Sequence, residues 1–69
     1  SIASACLQLA HGRRHDAMID ALEALAAARS ASDSPAEAAA LKMVSATCLA
    51  AGLDSDAIRI ADAAEALAS

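Results

Sequence analysis

The sequence predicts an all-α fold of two antiparallel helical hairpins, four helices in 69 residues. Three observations carry that expectation. Twenty-three residues are alanine, the best helix former because it loses no side-chain entropy. The only proline and the two glycines stand where helices would begin or end. The stretch Gly12, Ala17, Ala21, Ala24 recurs as Gly52, Ala57, Ala61, Ala64 at a constant offset of 40.

The first helix is expected through IASACLQLAH, broken at Gly12. Arg13 and Arg14 follow as turn residues, and a second helix runs from about 14 to 29. The clearest punctuation is SDSPAEAAAL. Ser34 can cap a helix, Pro35 suits its first position, and Glu37 stands three after Ser34, which completes a capping box. That helix continues until Gly52, placed where a left-handed C-terminal residue is wanted. Asp54 can then cap a fourth helix over about 55–68, and Asp56 favours the positive end of its dipole. The first unit thus covers about 1–31 and the second about 34–69, within a single domain.

Alanine blurs hydrophobic periodicity, so faces are assigned from spacing. Alanines at 17, 21 and 24, and at 57, 61 and 64, let backbones approach, while Met18, Leu22, Leu25, Ile60 and Leu67 supply bulk. Leu41, Val44 and Cys48 form a core-facing stripe on the third helix. Ile19, Leu53 and Ile58 fall off these faces and are the candidate partner-binding residues.

The chain has fifteen large aliphatic residues and no Phe, Tyr or Trp. So short a sequence with so little bulk is expected to be weakly stable alone, or completed by a protein partner or by self-association, a homodimer being the simplest form. The net charge of −4, concentrated in residues 30–69, excludes the clustered basic face of a nucleic-acid binder. No membrane association is expected, and the location is expected to be cytoplasmic. Although IASAC brushes against a lipoprotein cleavage box, no basic segment or long apolar one precedes it. A start at Ser1 suggests a fragment of a longer array, and the alanine and arginine content suggests a bacterial source.

The segment HGRRHDAM looks at first like a metal or phosphate site. His11 and His15, with Asp16 or Asp20, have the residue types of a zinc or nickel site. Gly12 interrupts the helix that would align them, and the second copy of the turn has no histidine, so a corner in the chain is expected rather than a metal centre. Cys6 and Cys48 are expected as small buried thiols rather than a disulfide. A Cys–His catalytic pair would need a polar third group and tertiary proximity. No nucleophile motif or phosphate-cradling loop is present, so no catalytic residue, cofactor or metal is assigned and the chain is not expected to be an enzyme. The acidic groups Asp54, Asp56, Asp62 and Glu65 fit caps and solvated faces.

The pattern resembles the tetratricopeptide family of helical repeats, particularly the 40-residue variety that looks like the repeat arrays of bacterial transcription regulators of the maltose-activator type. Leu41, Val44, Ser45, Gly52 and Ala57 match that family's large, small, turn and post-turn positions, followed by Ala61 and Ala64. The first copy retains Ala5, Gly12, Ala17 and Ala24 but has Ser4 where a large apolar residue is usual, and the family's aromatic positions are empty in both. The resemblance implies a right-handed stack of helical hairpins that binds a peptide, a helix or another protein segment in a concave groove. No groove residue carries over individually. The expected function is therefore a non-enzymatic interaction, scaffold or regulatory module. The alternative is a small stand-alone helical chaperone or subunit of a secretion-type complex.

Overall fold

The computed structural model describes residues 1–68. Its four helices are α1 (Ile2–Ala10), α2 (Arg14–Ser30), α3 (Ser34–Ala50) and α4 (Asp54–Ala68). The all-α expectation and the four helices hold, and no strand occurs among the described residues.

All three connections are built alike. Gly12 N–H donates to the Leu9 carbonyl and Arg13 N–H to that of Gln8, which is the Schellman pattern of a helix C-terminus. Twenty residues on, Ser32 donates to Arg29 and Asp33 to Ala28, and twenty further Gly52 donates to Leu49 and Leu53 to Cys48. The middle residue of each turn is left-handed, with φ of 74° at Gly12, 52° at Ser32 and 83° at Gly52. Glycine takes this conformation without a Cβ penalty, whereas Ser32 takes it with one. Sequence punctuation placed all three breaks, but it did not mark Ser32 as the left-handed residue of the middle one.

Two caps differ from expectation. Asp33, not Ser34, caps α3: its carboxylate accepts from Ala36 N–H at 3.2 Å. Ser34 is therefore the first helical residue and Pro35 the second, still within the turn where a missing N–H costs nothing. Asp54, expected to cap, is instead the first residue of α4, and the preceding Leu53 carbonyl accepts from Ala57 N–H. At the amino end Ser1 caps α1 by accepting from Ser4 N–H.

Side-chain bonds join residues nearly equidistant from each turn, so successive helices run antiparallel. Ser4 Oγ donates to Asp20 at 2.7 Å between α1 and α2, Arg29 pairs with Glu37 at 3.1 Å between α2 and α3, and Ser45 Oγ donates to the Ala57 carbonyl at 2.7 Å between α3 and α4. Each helix packs on its neighbours in sequence and α1 also touches α3, whereas the backbones of α1 and α2 do not approach that of α4. The Cα envelope is a slab of 30 × 23 × 13 Å.

The core is mostly alanine. Ala5, Ala17, Ala21, Ala40 and Ala64 are wholly buried, and the large buried side chains are Leu25, Leu41, Met43 and Val44. The expected stripe of Leu41, Val44 and Cys48 is buried. Leu22 and Leu67, expected to supply core bulk, are exposed, and so is Ala61 on the supposed close-approach face. Thr47, buried in the last turn of α3, satisfies its hydroxyl by donating to the Met43 carbonyl one turn back.

Candidate interaction surface

The segment from His11 to Met18 forms the first corner. His11 is the C-cap residue of α1, and its Nδ1 donates to the Leu7 carbonyl at 2.8 Å. Arg13 reaches back to the Gln8 side-chain oxygen at 3.2 Å. Both side chains thus serve the end of α1. His15 lies in the first turn of α2, exposed to solvent. No group of three or more His, Cys, Asp or Glu among the described residues is arranged to hold a metal ion.

The cysteines are free and differ in environment. Cys48 is buried in the core, whereas Cys6, expected to be buried, is exposed, with its thiol 3.3 Å from the Met43 sulfur. Cys6 sits on α1 toward α3, at an edge that α3 covers incompletely. The acidic residues divide as their surroundings dictate: Asp56 pairs with Arg59 on α4, and Asp54 and Asp62 are exposed.

What stands out is bulk left in solvent. Leu7, Ile19, Leu22, Leu49, Leu53, Ile58 and Leu67 are all exposed, nearly half of the large aliphatic side chains. The three candidate partner-binding residues belong to this set: Ile19 is 43% exposed on α2, Leu53 50% in the last turn and Ile58 63% on α4. Ile19 belongs to the first hairpin, whereas Leu53 and Ile58 lie near the start of α4. Leu7 and Leu49 were not singled out by spacing, because each sits among other apolar residues on helices where several stripes are equally apolar.

Two open grooves flank the α3–α4 pair. One, of about 370 Å³, lies between Leu41 and Cys48 of α3 and Ile60 and Ala63 of α4, with Asp56 and Arg59 at its rim. The other, of about 390 Å³, runs between the start of α3 at Pro35 and Ala38 and the end of α4 at Leu67. Neither gathers the converging polar groups that a small-molecule site needs to fix orientation. No helix among the described residues is long and apolar enough to cross a membrane.

Comparison with models of known families, with curated proteins and with solved structures returns no match.

Proposed function

We propose that the chain is a non-enzymatic protein–protein interaction module, a tetratricopeptide-like helical scaffold that receives a helix of a partner or of another copy of itself. The observation that carries this reading is the distribution of bulk. Seven large aliphatic side chains face solvent, while only four are buried and alanine fills most of the interior. Scattered exposed leucines are ordinary, but a domain this poor in core bulk gains most by covering those it leaves outside. The resemblance to helical repeats, with turns recurring every twenty residues, supports a helix as the occupant. The acidic balance and the cap roles of the histidine–arginine corner favour protein over nucleic acid, and a cytoplasmic setting fits two free thiols.

The test is selection from a displayed library of amphipathic helical peptides against the immobilised chain. Enrichment of peptides with apolar residues at i, i+3, i+4 and i+7, whose binding is lost on Ile58→Glu or Leu53→Glu, is the expected result. A library that yields no binder sensitive to these substitutions overturns the reading.

A further inference from the structure

The 40-residue correspondence pairs a covered surface with an open one at each end of the slab. On the first hairpin, α3 lies over Leu9, Met18 and Ala21, which belong to the cluster of Met43 and Val44 or pack against it. Forty residues on, their counterparts Leu49, Ile58 and Ala61 are all exposed, Leu49 by 60% and Ile58 by 63%. The sharpest pair is Ala21, wholly buried, against Ala61, exposed. The complementary half behaves in the same way. Met43 and Thr47, buried on α3, correspond to Ala3 and Leu7 on α1, both exposed, with Ala10 one turn further on the same stripe.

We propose, resting on the reading above, that a second copy of this chain docks head to tail. The Ala3–Leu7–Ala10 stripe of its α1 seats on the Leu49–Ile58–Ala61 face of α3 and α4, as α3 seats on α1 and α2 within one chain. The contact continues an interface the molecule already contains, using counterparts that keep their apolar character: Leu9 to Leu49, Met18 to Ile58, Ala21 to Ala61. Charge selects the same pairing. Helix α1 has no charged side chain, and residues 1–29 balance three arginines against three acids, whereas the whole net charge of −4 resides in residues 30–69. Two copies meeting through their α3–α4 faces would bring like charge together; α1 against α3–α4 does not. Because the two surfaces differ, the association is heterologous and open-ended rather than a closed dimer.

Sedimentation of the wild-type chain, Leu7→Glu, Ile58→Glu and an equal mixture of the two variants tests this, with circular dichroism confirming that each variant stays helical. The wild type is expected to grow in mass with concentration beyond twice the 6.8 kDa monomer. Each variant alone loses more than about tenfold in association. Their mixture, which retains one intact pair of faces, forms a one-to-one heterodimer and nothing larger. Should a glutamate unfold either variant, Leu7→Gln and Ile58→Gln replace them. A Leu7 variant that dimerises alone, a mixture that stays monomeric, or a wild type that stays monomeric throughout overturns the proposal. A monomeric wild type that still selects helical peptides refutes self-docking only and leaves the helix-binding reading standing.

Discussion

Substituting leucine at Ala21 and at Ala61 probes the asymmetry between covered and open faces without touching a polar group. Ala21 is wholly buried in the cluster of Ala5, Met43, Val44, Cys48 and Ala57. Leucine adds three carbons there, and a close-packed interior accommodates them only by shifting α3 away from the first hairpin. Overpacking of this kind costs about 1–3 kcal/mol. For a domain of this size each kcal/mol moves the melting temperature by about 4–8 °C, so Ala21→Leu lowers it by roughly 4–24 °C. At Ala61 the added carbons enter solvent, and the change stays within about 0.5 kcal/mol, since leucine and alanine are both strong helix formers. Thermal denaturation followed by circular dichroism, at the lowest workable concentration so that the new leucine does not drive association, measures both. Equal effects at the two positions would refute the assignment of one as interior and the other as open face.

The cap assignment predicts that Asp33→Ala destabilises by about 0.5–2 kcal/mol in urea denaturation while Ser34→Ala does not, because only Asp33 accepts from Ala36 N–H. A larger loss at Ser34 would restore the capping box read from the sequence. Ser32→Gly relieves a left-handed residue at a strain of about 1–2 kcal/mol. Glycine returns about 0.4–1 kcal/mol of that through the unfolded chain, so the urea midpoint should rise modestly. Gly52→Ala, where the added Cβ meets nothing within 4 Å but φ is 83°, should lower it by a comparable amount. In the native protein Cys6 should react with a thiol reagent and Cys48 only on unfolding; equal rates would contradict the burial of Cys48.

The helices were legible because their ends carry residues with few alternatives: Gly12 and Gly52 in left-handed turns, Pro35 in a first turn. Asp33 and Ser34 are adjacent capping types, and Pro35 is compatible with either as cap, so only the hydrogen bond to Ala36 decides between them. Faces were harder to read. Where every third or fourth residue is alanine, several stripes of a helix are equally apolar, and the buried one is set by what arrives against it. Ala21 and Ala61 have the same local signature, yet α3 covers the first, and no described helix covers the second. Leu22 and Leu67 were misplaced for that reason. Of the candidate surface, Ile19, Leu53 and Ile58 were legible as residues outside the alanine faces. Leu7 and Leu49 were not, since nothing in their local spacing sets them apart from their counterparts, buried Thr47 and half-buried Leu9.

The same distribution of bulk fixes where the molecule opens first. Three of the four large buried side chains, Leu41, Met43 and Val44, belong to α3, which alone touches every other helix. By contrast α1 has nine residues, fewer than the ~12–15 at which an isolated helix becomes even marginal. It is held by Ala5, by half-buried Ile2 and Leu9, and by the Ser4–Asp20 hydrogen bond. Local opening should therefore release α1 at a free energy well below that of global unfolding, while α3 amides exchange only when the whole chain unfolds. Native-state hydrogen exchange is expected to rank α3 slowest and α1 fastest. Ser4→Ala should speed α1 exchange further, because it strands the Asp20 carboxylate, while leaving α3 nearly unchanged. Protection in α1 equal to that in α3 would mean that the interior is held by something other than α3. A detached α1 would bare Leu9 and Cys6 on the edge that α3 already half covers, so the helix proposed to dock on a second copy is also the one least firmly held by its own.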